Sequence, residues 1–294
     1  GMTALSSLHK LQLALCAGVI VLFGTAALRA QDVPERIVSV GGSVTEIVYA
    51  LGEQERLVAR DTTSNYPQEV LDLPDVGYIR ALSAEGMLSV NPTLILTEEG
   101  AGPPETVDLL EQAAIPVIEI PDGYDAAAVR TKILAVAKAL GVPDKGDALA
   151  AKVDAALAEA VAQTSEAAGA GTPRVLFILS MQGGRILAGG QDTAAEGIIH
   201  LAGGENAAQG FTGYKPLTDE AVISAAPDVI LMMQRNGDLA ISDEALFGHP
   251  AILSTPAGEA RAVVRMDGMK LLGFGPRVAE AATELSRALA AAGS

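Results

Sequence analysis

The feature that most constrains the fold is a long stretch without any strand pattern, flanked on both sides by alternating short strands and helices. Within it, Asp125–Leu140 has a helix pattern that ends at Gly141, and Asp144–Ala168 continues Ala-rich with almost no helix breaker. At a rise of ~1.5 Å per residue the second segment would span roughly 35 Å. A helix of that length between two α/β units is predicted to be a rigid connector.

The segments on either side of this helix repeat each other. Arg36–Val40 (RIVSV) and Arg174–Leu179 (RVLFIL) each open a unit, and the proline-led strands at 91–96 and 226–231 correspond. Alternating apolar strands and helices are typical of parallel sheets. The predicted fold class is therefore α/β, with two Rossmann-like lobes joined by a long rigid helix and a ligand cleft between the lobes.

The N-terminus has the pattern of a targeting segment. A weakly positive start and the apolar run Leu11–Leu28 precede small residues and Gln31, which predicts a signal peptide over residues 1–30. A retained membrane anchor is the alternative, because the run is about as long as the shortest membrane span. The only cysteine, Cys16, lies in this run, so the mature chain has no thiol for a disulfide or a metal. These features predict export to the periplasm.

The remaining boundaries follow from the helix pattern. We predict an N-terminal α/β lobe over residues 31–142, the connecting helix over 143–170 and a C-terminal α/β lobe over 171–294. In the first lobe, Ser43 and Glu46 have the spacing of a capping box for the helix that follows the first strand.

Charge and motif content exclude several classes of function. The net charge of −16 argues against a nucleic-acid surface. Neither histidine of the predicted mature chain, His200 or His249, has a second ligand at metal-binding spacing. The chain contains no H-E-x-x-H, P-loop or G-x-S-x-G motif. We therefore predict that the protein is not an enzyme, and we expect it to be a monomer.

One loop carries a phenol and a guanidinium side by side. Tyr78 and Arg80 follow a turn and precede a helix pattern, Ala81–Val90, which ends before Pro92. If the strands are parallel, this loop lies beside the C-terminal edge of the sheet, where open α/β sheets bind ligands. The two side chains could then supply a metal ligand and an anion clamp to the same ligand.

This loop also carries a family resemblance. Residues 77–86 (GYIRALSAEG) are similar to the haem-ligand segment of periplasmic haem-binding proteins that feed bacterial ABC haem importers, in the helix-linked (class III) group of substrate-binding proteins. The resemblance implies haem b as the transported ligand, Tyr78 as its axial iron ligand and Arg80 as a partner of a propionate. Phenolate suits ferric iron, and coordination must itself drive loss of a proton whose ordinary pKa is about 10.

The second lobe supplies further candidates. Met181 lies in the loop after the opening strand, where it could pack on the macrocycle or act as a soft axial ligand, and packing is favoured. Tyr214 and Lys215 resemble a family segment near the cleft and could meet a propionate.

The partners follow from the same resemblance. Glu85 and Glu220 each precede a proline-led strand, and the resemblance implies that they pair with arginines on the two subunits of an inner-membrane permease. It also implies an outer-membrane haem receptor that acts upstream. The alternative ligand is a ferric siderophore or a corrinoid, in which case Tyr78 need not touch metal.

Overall fold

A computed structural model describes residues 35–167 and 171–293, with backbone only for 165–167. The predicted signal peptide lies outside these residues. Within the described part of the chain, no helix combines the length and the apolar character that crossing a bilayer requires.

The first lobe is built on a four-stranded parallel sheet in the order β2-β1-β5-β6. Every residue of the central strand β1 is buried, as expected for a parallel strand covered on both faces. A two-stranded hairpin, β3-β4, accompanies the sheet. The strands are β1 (Ile37–Val40), β2 (Leu57–Arg60), β3 (Gly77–Tyr78), β4 (Ala81–Leu82), β5 (Leu94–Glu98) and β6 (Val117–Ile120). The helices are α1 (Gly42–Ala50), α2 (Ala84–Leu88), α3 (Pro104–Gln112) and α4 (Ala126–Leu140).

The second lobe repeats this arrangement and extends it. Strands β9, β7, β11 and β12 are parallel and have the same order as β2, β1, β5 and β6. Two further strands, β8 and β10, are antiparallel to their neighbours, so the sheet is mixed where a parallel one was predicted. The strands are β7 (Arg174–Ser180), β8 (Ile186–Gly189), β9 (Glu205–Asn206), β10 (Tyr214–Leu217), β11 (Val229–Met233) and β12 (Val263–Met266). The helices are α6 (Ala194–Leu201), α7 (Asp219–Ala225), α8 (Asp243–Phe247), α9 (Pro250–Leu253), α10 (Pro256–Ala260), α11 (Gly268–Leu272) and α12 (Val278–Ala292).

The long helix α5 (Pro143–Ala167) joins the lobes, as predicted. It packs against α4 of the first lobe and α12 of the second. Gly146 faces Ala137 of α4 so closely that a Cβ at residue 146 would overlap the alanine methyl. The turn from α4 into α5 uses Gly141, whose φ of 73° is the left-handed conformation that glycine adopts readily. The connector is therefore fixed along its length by both lobes.

The main hydrophobic core crosses from one lobe into the other. A single cluster of buried side chains includes Val44 and Ile133 of the first lobe together with Phe177 and Leu285 of the second. Each lobe has in addition a smaller apolar cluster of its own on the far side of its sheet.

Candidate ligand-binding site

Tyr78 and Arg80 lie on a hairpin fastened to the C-terminal edge of the first sheet. The Thr62 N–H donates to the Gly77 carbonyl at 2.9 Å, which ties the hairpin to the loop after β2. Gly102, in the loop after β5, donates to the Ile79 carbonyl at 2.9 Å. The position beside the strand ends therefore agrees with the sequence expectation, and these hydrogen bonds fix the hairpin from two sides.

The predicted helix over Ala81–Val90 was wrong at its start. Ala81 pairs with Tyr78 in the hairpin, and helix α2 begins only at residue 84. Ser83 is its N-cap, because its hydroxyl accepts a hydrogen bond from the N–H three residues on at 3.0 Å. At the hairpin entry, Gly77 has a φ of 106°, a conformation that side-chain-bearing residues rarely adopt.

Tyr78 is half exposed, with 47% of the residue's surface accessible. Arg80 is exposed too, and it has no ion-pair partner among the described residues. Its positive charge nevertheless acts on Tyr214 of the second lobe, where it opposes the rise of that phenol's pKa. The charge of Arg80 in the first lobe therefore reaches Tyr214 in the second.

Tyr214 has a supported position in the second lobe. Its ring packs edge-on against Phe177, with ring centroids 6.1 Å apart. Its phenol oxygen is hydrogen-bonded at the start of α6 by the Ala195 backbone and the Thr193 side chain. Burial raises the pKa of the phenol, and these hydrogen bonds lower it again in part. The neighbouring Lys215 is exposed.

Tyr124 is a cleft residue that the sequence analysis missed. It lies in the loop after β6, and its ring packs edge-on against Phe274 of the second lobe at a centroid distance of 5.8 Å. Its backbone rests against Gly197 of α6, where any Cβ would overlap it. Burial raises its pKa to about 12, with the charge of Asp122 as the second cause. The Asp122-Gly123 turn at a strand's C-terminal end was the signal that could have identified it.

The buried lysine Lys132 connects the two lobes through its polar contacts. The Lys132 side chain is fully buried, and its ammonium group donates to the Asp122 carboxylate at 2.8 Å and to the Ser43 hydroxyl at 3.1 Å. It also donates to the Gly273 carbonyl of the second lobe at 3.2 Å and lies 3.6 Å from the Glu98 carboxylate.

The predicted capping box of Ser43 and Glu46 was wrong. The N-cap of α1 is Gly41, and Ser43 lies inside the helix, where its hydroxyl binds Lys132. Glu46 instead forms a bidentate ion pair with Arg277 of the second lobe, at 2.8 and 2.9 Å. The Arg277 guanidinium stacks on the Tyr66 ring at 3.7 Å from the centroid. Both polar residues of the predicted capping box therefore bind cationic side chains at the junction of the two lobes.

Met181 packs against the smaller apolar cluster of the second lobe and is partly buried. This contact is with the protein's own core, and packing of Met181 on a macrocycle stays a prediction. Within the described residues no group of three His, Cys, Asp or Glu side chains is placed to hold a metal ion.

Two surface depressions lie outside the group of tyrosines described above. One of about 260 Å³ lies at the C-terminal ends of β7 and β11, and one of about 570 Å³ lies beside Tyr49, away from the cleft residues.

Glu85 and Glu220 occupy equivalent positions in the two lobes. Each is the second residue of a short helix, and both are exposed. The N-cap hydroxyls of Ser83 and Thr218 each accept a hydrogen bond from the N–H three residues on, at 3.0 and 3.1 Å. The internal repeat therefore gives each lobe the same capped helix start with the same acidic side chain.

Comparisons with known proteins agree with this architecture. A solved structure described as the periplasmic heme-binding protein BhuT in complex with two hemes has a TM-score of 0.85 to this fold. The two chains are 43% identical, over 88% of this chain and 99% of that one.

Curated relatives are more distant. The vitamin B12-binding protein of Vibrio campbellii is 26% identical over 74% of this chain and 76% of its own length. An uncharacterized ABC transporter substrate-binding lipoprotein of Bacillus subtilis, YvrC, is 28% identical over 67% of this chain. This chain spans 63% of the length of the Bacillus protein.

The family model described as periplasmic binding protein matches residues 37–269, from the first strand of the first lobe through the connecting helix to the start of α11 in the second lobe. The relatives that it matches are binding proteins and not enzymes, and the chain belongs to the periplasmic binding protein family.

Proposed function

We propose that this protein captures haem in the cleft between its lobes and delivers it to an ABC import permease. The observation that carries the proposal is the half-exposed Tyr78 on a hairpin that is fixed at the C-terminal edge of the sheet. A phenol held in this way is available to an incoming ligand without a rearrangement of the backbone.

Each side chain has a defined part in the proposal. Tyr78 would coordinate ferric iron as a phenolate, a hard oxygen donor that suits this metal. Arg80 would bind a propionate by charge-assisted hydrogen bonds, and Lys215 offers a second cation from the opposite lobe. Tyr124 and Tyr214 would pack against the macrocycle between them. The similarity to a solved haem-binding protein at 43% identity supports haem as the substrate class.

A corrinoid is the second candidate. It is favoured by the similarity to the vitamin B12-binding protein of Vibrio campbellii. Against it, a corrinoid brings its own axial ligands, so an exposed phenol beside an arginine would have no evident task.

The direct test is a titration of the purified protein with hemin and, separately, with cyanocobalamin. We expect hemin to bind stoichiometrically, with a shifted Soret band and the charge-transfer bands of a phenolate-bound ferric haem. The absorption spectrum of cyanocobalamin should not change when the protein is present, and cyanocobalamin should not displace bound hemin. Tight binding of cyanocobalamin with no hemin complex would replace the proposal by the corrinoid alternative.

Delivery requires a docking surface, and Glu85 and Glu220 are its proposed anchors. A two-fold permease would present one arginine to each lobe, and these ion pairs would mainly set the orientation of docking. We expect the double variant Glu85→Arg, Glu220→Arg to bind hemin normally and to lose stimulation of ATP hydrolysis by the reconstituted transporter.

The chain offers a matched control for this variant. Glu105 and Glu244 are also exposed and are also the second residues of helices, α3 and α8, one in each lobe. Glu105→Arg with Glu244→Arg makes the same charge change, and stimulation should persist. Equal losses in both double variants would show a general charge effect and would contradict the assigned surface.

The place of action follows from the same proposal. The protein would reach the periplasm through its N-terminal signal peptide, residues 1–30, and would accept haem supplied through an outer-membrane receptor. The lobe boundaries predicted at residues 142 and 171 remain predictions. We infer that the mature protein acts as a monomer.

A further inference from the structure

The buried lysine at the lobe junction contacts more negative charge than it can balance. Lys132 supplies one positive charge, whereas Asp122 at 2.8 Å and Glu98 at 3.6 Å supply two carboxyl groups. The Glu98 side chain is 15% exposed and the Asp122 side chain 23%, so water stabilises little of this charge. If both acids were ionised, the cluster would keep an uncompensated negative charge in a site of low polarity, which is costly.

Among the described residues, no neighbouring group removes this charge imbalance. The other titratable groups that face the cluster are Glu99, which accepts a hydrogen bond from the Asp122 N–H at 2.9 Å, and Tyr124. Glu99 adds negative charge, and Tyr124 is neutral because its pKa is about 12. Ser43 and the Gly273 carbonyl contribute dipoles without net charge.

A shared proton resolves the imbalance. The two carboxylates lie 2.8 and 3.6 Å from the same ammonium group, and two carboxyl groups held this close together can share one proton. Burial raises the pKa of Glu98 to about 7, against the opposing effect of Lys132 and with a further rise caused by Asp122. The pair therefore takes up or loses its proton near neutral pH.

We propose that Glu98 and Asp122 form a proton-binding site at the lobe junction, and that capture of an anionic ligand in the cleft draws a proton into this site. The part that concerns the ligand depends on the proposed function, since it takes the ligand to be a haem with two propionates. Both acids lie at C-terminal strand ends, and Asp122 is two residues before the cleft residue Tyr124. With the proton, the cluster of three groups is neutral, and without it the cluster carries one negative charge beside the cleft.

The sign of the effect follows from this charge. Raising the pH through 7 makes the cluster negative, which repels propionates and weakens binding. By linkage, bound haem must raise the proton affinity of the pair by the same free energy. One extra charge at about 10 Å, screened nearly as strongly as in bulk water, should lower the affinity for a dianion roughly fivefold. A fivefold effect corresponds to the uptake of about 0.4 proton per haem at the midpoint.

The experiment compares hemin affinity at pH 6 and pH 8 in the wild-type protein and in Glu98→Gln. Calorimetry in two buffers that differ in ionisation enthalpy gives the proton count. Glutamine resembles the protonated acid in shape and charge, so the variant should bind hemin roughly fivefold more tightly than the wild type at pH 8, and the two proteins should bind alike at pH 6. Proton release from Tyr78 on coordination occurs in both proteins and cancels in the comparison.

The control is Glu119→Gln, an exposed glutamate on strand β6. It removes the same charge outside the cluster and should keep the wild-type pH dependence. If Glu98→Gln also keeps that dependence and the same proton count, the proton site is refuted. If hemin fails to bind the wild type at either pH, the proposed function falls instead.

A ligand-free measurement tests the site independently of haem and of any folding defect in the variant. In the apo wild-type protein, the infrared C=O band of a buried protonated carboxyl should be present at pH 6 and lost by pH 8. Asp122→Asn, which removes the other member of the pair, should abolish titration of this band in the neutral range. A wild-type protein without such a band at pH 6 would overturn the proposal.

Discussion

Replacing Tyr78 with phenylalanine is expected to abolish iron coordination while leaving the cleft otherwise intact. The ring is retained, and only the phenol oxygen is lost from a half-exposed side chain. Because even outer-shell partners of a metal ligand are worth about 10- to 100-fold in affinity, loss of the ligand itself should weaken hemin binding by at least about 100-fold. The charge-transfer bands of the ferric phenolate complex should disappear, which absorption spectra will record.

Two further tyrosines make this prediction specific. Tyr49→Phe changes a phenol on α1, away from the cleft residues, and should leave both spectrum and affinity unchanged. Tyr124→Phe changes a phenol inside the cleft and should retain the charge-transfer bands. If instead Tyr124→Phe loses the bands and Tyr78→Phe keeps them, the axial ligand has been assigned to the wrong tyrosine of the first lobe.

The second large effect is expected at Arg277. Its guanidinium forms a bidentate ion pair with Glu46, and the two side chains are only 15% and 5% exposed. Arg277→Met leaves the Glu46 carboxylate buried without its partner. Removing one member of a buried pair costs about 3–5 kcal/mol of unfolding free energy. Urea unfolding at neutral pH measures this decrease in unfolding free energy. The decrease should be smaller at lower pH, where Glu46 can be protonated.

An exposed pair of the same kind provides the comparison. Arg130 and Asp154 approach to 2.6 Å, yet their side chains are 45% and 41% exposed. Arg130→Met should therefore cost no more than about 1 kcal/mol. Glu46→Leu combined with Arg277→Met should recover much of the lost stability, because no buried charge remains. Equal losses at Arg277 and Arg130 would mean that burial does not govern the energy of the Glu46 pair.

Much of the architecture could be predicted because it follows from local patterns of apolar and polar residues in the sequence. The repeated strand and helix periods indicate two parallel units, and the strandless stretch before residue 168 indicates the connector. Strands β8 and β10 were not predicted as antiparallel, because their pairing depends on the chain reversal after Ser180 and not on strand periodicity. The capping box failed for a related reason, since Glu46 binds a residue 231 positions away that no local spacing can indicate.

The candidate site divides in the same way. Tyr78, Arg80 and Tyr214 were predicted because they stand in short segments with a recognisable pattern. Lys132 was missed because it lies in an otherwise ordinary helix. Its role depends on contacts with residues distant in sequence, namely Ser43, Asp122 and the Gly273 carbonyl of the other lobe. Its burial is a property of tertiary structure alone.

The apolar cluster that runs through both lobes has a consequence for the release of a bound ligand. Because Val44, Ile133, Phe177 and Leu285 belong to one buried set, neither lobe can loosen without exposing the other's interior. The lobes should therefore melt in a single cooperative transition, and spontaneous opening of one of them would require nearly the full free energy of unfolding. Local unfolding of a lobe is then too rare to set the rate at which a bound ligand would leave the cleft.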